Sequence, residues 1–225
     1  MIAKLGRAIA VLICLVGMPI HLCIWALIRM HDSGPALYRS RRLGKGGVGF
    51  EMLKYRTMKA DARPVVKEGF KTIVVEADPR VTGPGRWLRC GIDELPQLWN
   101  IVRGEMAWIG PRPDEEWMLH NYGVQCTQRL VPLPGITGYA QVLYSRNVST
   151  AEGYAIDLWY RAHGSIWLDA WIVIATPMFM AGWRAVGADR LRKLRLLPEF
   201  KQLRQRCDAE LAAAEKFSLE ALSVG

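Results

Sequence analysis

Asp93 and Glu94 stand side by side in Ile92-Asp93-Glu94-Leu95-Pro96-Gln97-Leu98, and Arg112 follows in Gly110-Pro111-Arg112-Pro113. Such a set suits phosphoryl chemistry, because a carboxylate can itself attack phosphorus and a guanidinium grips phosphate oxygens in pairs. Proline is tolerated in a helix only in its first turn, so Pro96 predicts that the helix through Leu98, Trp99 and Val102 begins near Asp93 or Glu94. Free N–H groups and the helix dipole gather anions there. The plainer reading of an Asp-Glu pair before a helix is an N-cap with first-turn charge. Arg112 lies between two prolines, whose fixed φ makes either a rigid mount for phosphate binding or a rigid turn with an exposed arginine.

Further cations lie within reach in sequence. Lys54 and Arg56 alternate along a predicted strand and so share a face, suited to a diphosphate or to a solvated edge. Arg86 and Arg89, three apart, sit one above the other if their segment is helical. Two short strands are predicted around Leu37-Tyr38-Arg39 and Phe50 to Lys54, joined by a glycine-rich loop. Gly44 to Gly49 imitates part of a phosphate-binding loop, but Phe50-Glu51 stands where Lys-Ser/Thr is needed. It is a turn, which excludes a P-loop NTPase. Ala60 to Ala77 reads as a mobile helix or loop near the site, and Trp117 to Arg129 as a helix.

The chain has 225 residues, enough for one domain with a sizeable core plus appendages. Lys+Arg 30 against Asp+Glu 21 gives +9, which suits nucleic acid, acidic lipid or a nucleotide diphosphate alike. The five scattered cysteines lack CxxC spacing, so neither a disulfide framework nor a zinc site is indicated and a reducing compartment is implied.

From Ala8 to Ile28 the chain is apolar apart from His21, about the ~20 residues of a spanning helix. No cleavage signal follows, so the segment is retained. Pro19 breaks it near the middle, and basic residues flank both ends (Lys4, Arg7; Arg29, Arg39). A kinked span and a re-entrant helix-break-helix are both open, and only the second leaves both flanks on the cytoplasmic side. A second apolar stretch, Ile166 to Trp183, carries three tryptophans, Asp169 and Pro177, and suits an interfacial or a buried helix better than a span. From Ala185 onward Leu191, Leu194, Leu197, Phe200 and Leu203 form an apolar stripe beside Arg190, Arg192, Lys193 and Arg195. Its partner is a membrane, the domain, or a second protomer in a homodimer.

The order KYRTM (from Lys54), DPRVTGPGRWLR (from Asp78), DELPQLWNIVRGEM (from Asp93), IGPRP (from Ile109), PGITGYAQV (from Pro134) and Asp157/Tyr160/Asp169 resembles the bacterial sugar transferase family, the monotopic polyprenyl-phosphate phosphoglycosyl transferases, over roughly residues 8 to 180. The resemblance implies a UDP-sugar donor, a polyprenyl (undecaprenyl) phosphate acceptor, UMP release and a covalent phosphosugar on Asp93. Glu94, with Asp93, would hold Mg²⁺. It implies substrate contacts for Lys54, Arg56, Arg86, Arg89, Arg112 and Arg146, and orienting or ion-pair roles for Asp157 and Asp169. It favours the re-entrant reading about Pro19, membrane lipids as partners and no nucleic acid, at the cytoplasmic face of the bacterial inner membrane. The sequence departs from the family at Met18-Pro19 (often Ser-Pro), at YSRN (more often NGRN) and at Gly164, where an aromatic is usual.

The fold expected is α+β: a mostly helical domain with a small β-hairpin, seated by a re-entrant helix (1–31) and interfacial helices. The catalytic domain would span 32–184 and a basic helical extension 185–225. The resemblance is to the minimal catalytic form of the family, in which no multi-span domain would be expected to precede it. Two rival classes are a membrane-tethered module for nucleic acid or anionic lipid, favoured by the charge, and a non-catalytic assembly factor, which has no need of the Asp93-Glu94-Arg112 set.

Overall fold

The computed structural model describes residues 2–62, 78–143 and 148–223. In chain order its elements are α1 (Ile2–Val16), α2 (Met18–His31), β1 (Leu37–Leu43), β2 (Gly49–Tyr55), α3 (Gly83–Leu88), α4 (Gln97–Arg103), β3 (Ala107–Ile109), α5 (Val124–Thr127), β4 (Gly135–Thr137), α6 (Tyr139–Leu143), α7 (Thr150–His163), α8 (Ile166–Met180), α9 (Ala188–Leu196) and α10 (Pro198–Ser223). Helices dominate, with β1 and β2 in the expected antiparallel hairpin, Leu37 opposite Tyr55 and Leu43 opposite Gly49. The glycine-rich segment between them is a turn, as the missing Lys-Ser/Thr requires. A second sheet pairs β3 with β4 in parallel. At three residues each, these strands are too short for alternation to show in the sequence.

The N-terminal helices bend by 62° where they meet, and no single helix of the described residues is long and apolar enough to cross a membrane. The break falls at Gly17, with Pro19 in the first turn of α2, where its missing N–H costs nothing. Backbone bonds carry through the bend without a hydroxyl at position 18: the Gly17 N–H reaches the Ile13 carbonyl at 2.8 Å and the His21 N–H reaches Gly17 at 3.0 Å. Each arm is fastened to the rest of the chain. Trp108 Nε1–H donates to the Gly6 carbonyl at 2.9 Å, and Ala10 is buried among Phe50, Met52, Leu98, Ile101 and Met106. On the other arm Ile24 and Ile28 pack on Ala36, Tyr55 and Leu88. The residues between, among them Leu12, Leu15, Val16, Ile20 and Leu22, are exposed.

The largest core gathers α5 to α10 around Ile156, Ile172, Leu191, Leu194, Phe200 and Cys207. The apolar stripe of α9 and α10 therefore meets the domain, of the three partners open to it. Ser149 and Ser165 start α7 and α8 by accepting N–H bonds from Glu152 and Leu168. On α8 one face (Leu168, Ile172, Ala175) joins the core while Trp167, Val173 and Ile174 are exposed. The continuous helix expected over Trp117 to Arg129 is instead a 3₁₀ segment Glu116–Asn121, the single turn α5, and a 3₁₀ turn Gln128–Leu130. Gly123 is extended at the break, and the N–H groups of Gln125 and Cys126 after it are capped by Glu210 of α10 at 2.7 and 2.9 Å.

Candidate active site

Three segments distant in sequence converge: the end of β2, the turn before α4 and the loop after β3. Asn100, buried on α4, fixes the first two by accepting from the Leu53 N–H at 3.0 Å and donating to the Glu51 carbonyl at 2.7 Å. That register aims Lys54, the next residue of β2, at Glu94. Asp93 and Glu94 do not begin the helix, a correction to the sequence reading. They occupy a separate 3₁₀ turn, Ile92–Glu94, and α4 starts at Gln97 with Pro96 as its N-cap. Gly91 makes the tight entry possible with φ of 108°, and a Cβ there would collide with Met180 at 1.7 Å.

Glu94 is clamped. Its Oε1 accepts from Lys54 Nζ at 2.7 Å and from Arg112 at 2.9 Å. Burial opposes its charge, but Arg112 and Lys54 together outweigh burial and hold the carboxyl down to about 2. Burial acts on Lys54 too, and with the nearby Arg112 it pushes the ammonium below its ordinary range despite Glu94. Asp93 is the contrast. Burial, joined by the Glu94 charge, raises its carboxyl, and among the described residues no other side chain donates a hydrogen bond to it. One carboxylate is thus paired with two cations, and its neighbour is held close by with only its own backbone N–H donating to its oxygens.

The other predicted contacts scatter. Arg56 does not join Lys54 at Glu94: its buried guanidinium turns to the carbonyls of Asp32 (2.8 Å) and Ser33 (3.1 Å) and ties the exit of α2. Arg86 is exposed on α3, and Arg89, its C-cap, keeps a helical N–H bond to the Gly85 carbonyl at 3.2 Å while its side chain donates to Thr57 Oγ1 at 3.3 Å. Asp157 is buried against Arg129 at 2.7 Å, and Asp169 accepts from the Tyr160 hydroxyl, joining α8 to α7. Arg146 lies outside the described residues, as does the stretch 63–77.

The structure adds residues that the sequence reading missed. Asn100 left one signal, a polar side chain on the apolar face that carries Leu98 and Ile101. Arg42 of β1, ion-paired with Glu115 at 3.3 Å, lies near enough to Arg112 to feel its charge. Arg129 donates to Asp114 (2.5 Å), to Asp157 and to the Arg112 carbonyl (2.5 Å) beneath the loop, and nothing local in the sequence foretells that meeting. A groove of about 630 Å³ between α7 and α10, walled by Trp159, Arg161 and Arg206, contains none of the acidic pair or its cations.

The profile of the bacterial sugar transferase family matches residues 3–182. The chain belongs to the bacterial sugar transferase family. It is 39% identical over 170 residues to the exopolysaccharide production protein ExoY of Rhizobium meliloti, covering 70% of this chain and 75% of that one. It is 31% identical over 179 residues to the undecaprenyl-phosphate galactose phosphotransferase of Salmonella typhimurium, covering 74% of this chain and 37% of that one. To the UDP-glucose:undecaprenyl-phosphate glucose-1-phosphate transferase of Xanthomonas campestris it is 34% identical over 190 residues, covering 77% and 37%. Three of the segments that carry the family resemblance, KYRTM, DELPQLWNIVRGEM and IGPRP, are the ones that supply Lys54, the acidic pair with Asn100, and Arg112.

Proposed function

We propose that this member of the family moves a phosphosugar from a UDP-sugar to undecaprenyl phosphate, with Asp93 as a covalent relay, at the start of exopolysaccharide or other glycoconjugate assembly. The observation that carries the reading is the division of labour between the two carboxylates: Glu94 neutralised by Lys54 and Arg112, Asp93 left without a cation or side-chain donor bonded to its oxygens among the described residues. An Asp93 oxygen attacks the β-phosphorus of the donor. The bond from that phosphorus to the oxygen shared with the α-phosphate breaks, and UMP leaves with the electron pair. An oxygen of the polyprenyl phosphate then attacks the same phosphorus and returns the carboxylate. No net proton transfer is needed. Lys54 and Arg112 lie where they can turn from Glu94 toward the incoming phosphate charge.

A magnesium ion fits the donor set. Among the described residues no group of three or more His, Cys, Asp or Glu side chains could cage a metal. Mg²⁺ commonly takes one or two carboxylates and completes its shell with water and substrate phosphate. Glu94, through the oxygen not held by Lys54 and Arg112, and Asp93 would hold it. When bound, the ion would offset charge on the diphosphate and its leaving group.

The bent N-terminal pair supports a re-entrant seat in the cytoplasmic leaflet of the bacterial inner membrane. Both arms pack on one folded body, and basic residues flank both ends, so neither end need cross. Arms of about 20 Å, at ~1.5 Å per residue, place the apex of a 62° bend roughly 10 Å below its ends, within one ~15 Å leaflet. The decisive assay supplies UDP-sugars, undecaprenyl phosphate and Mg²⁺ to wild type and Asp93→Asn. UMP release and an adduct on Asp93 in the wild type alone are expected, and release by the mutant at the wild-type rate refutes the relay.

A further inference from the structure

Resting on the reading above, we propose that Arg129 is a positioning residue, which fixes the peptide of Arg112 so that the Arg112 guanidinium faces Glu94 and the donor diphosphate. The Arg112 side chain is about half exposed and springs from a loop whose two prolines lack N–H donors. The loop is fastened on either side of it: the Pro111 carbonyl accepts from the Gly135 N–H at 3.0 Å, and the Asp114 carbonyl from the Leu43 N–H at 2.9 Å. On the Arg112 peptide itself the carbonyl accepts from Arg129 at 2.5 Å.

The same guanidinium spends its remaining donors on fixing its own place. Its Nε donates to Asp157 at 2.7 Å, and its Nη1 donates to Asp114 at 2.5 Å and to the Tyr122 hydroxyl at 2.9 Å. The Tyr154 ring lies 4.5 Å from it, and the Tyr154 hydroxyl donates to Asp114 at 2.6 Å. A buried ionic group of this kind is seldom the most stabilising way to fill a core. Its rigid fork, though, can hold a carbonyl and two carboxylates at set spacings, which lysine cannot. Asp157 thereby acts at two removes, orienting Arg129, which orients Arg112.

A double-mutant cycle in the full chain tests this, with inorganic pyrophosphate as the calorimetric probe and thermal unfolding as the folding control. Arg112→Ala is expected to weaken pyrophosphate binding by about 10- to 100-fold, the range of one charge-assisted contact. Arg129→Lys should reproduce most of that loss, and the double variant should bind no worse than Arg112→Ala alone. Asp157→Asn, which loosens Arg129 without removing it, should weaken binding in the same sense, and it carries the test if Arg129→Lys does not fold. Losses that multiply in the double variant, or a folded Arg129→Lys or Asp157→Asn with wild-type affinity, overturn the proposal. Wild type that binds no pyrophosphate overturns it together with the reading beneath it. If the cycle behaves as expected but no UDP-sugar yields UMP, the positioning role stands and the transfer chemistry falls.

Discussion

Asp93 and Glu94 are neighbours in sequence, yet their surroundings drive their carboxyls apart. Burial raises Asp93, while Lys54 and Arg112 hold Glu94 down to about 2. The proposed relay requires Asp93 ionised, so activity is expected to fall with falling pH as Asp93 takes up its proton while Glu94 is still charged. Lys54 is the first of the cations opposing the rise at Asp93. Lys54→Met should therefore move the acid limb of the kcat/KM profile to higher pH, read from initial rates of UMP release. A limb that stays in place would remove Lys54 from the electrostatics of Asp93. For stability the sign is the opposite of a histidine's: the folded Glu94 carboxyl lies below the unfolded value near 4.3, so its contribution is present above that pH and is lost toward about 2.

At the scale of elements, the site depends on a strand and a helix being locked in register. Asn100→Ala leaves the Leu53 N–H and the Glu51 carbonyl unsatisfied beside α4, at a cost of about 1–3 kcal/mol per buried group. The expected result is a lower thermal midpoint together with a raised KM for the donor, since Lys54 is no longer aimed. A shift in one without the other would separate packing from aim. Gly91→Ala meets both a positive φ and the side chain of Met180, so it should destabilise the turn that carries the acidic pair. The hairpin and its turn were legible from alternation and glycine placement. The 3₁₀ turn was not, because Pro96 marks a helix start only to within a turn, and a contact 89 residues away from Gly91 shapes the approach.

Over the whole molecule, α9 and α10 lie beyond residue 182, where the family match ends, yet they complete the main core. Leu191, Leu194 and Phe200 each stabilise by roughly 1.5–3 kcal/mol on burial, so losing three approaches the 5–15 kcal/mol of an ordinary domain. A chain ended after Gly182 is expected to aggregate or to lose cooperative unfolding, checked by calorimetry against the full chain. The proposed re-entrant seat makes its own prediction: single cysteines placed at Lys4 and at Met30 should both react with an impermeant maleimide from the cytoplasmic side of inverted vesicles. Protection of either one indicates a span.

The sequence by itself determined the family, because acidic pair, proline-held arginine and ordered motifs are local patterns that survive without coordinates. It also determined an apolar N-terminal segment with a break and an apolar stripe beside a basic face at the other end, since periodicity and breakers are short-range properties. Only the tertiary structure decided that Lys54 meets Glu94 while Arg56 turns to the end of α2, that the C-terminal stripe serves the core, and that a buried arginine lies beneath the Arg112 loop. Those outcomes depend on which distant surfaces exclude water together, and pairing over tens of residues leaves no mark in any one segment.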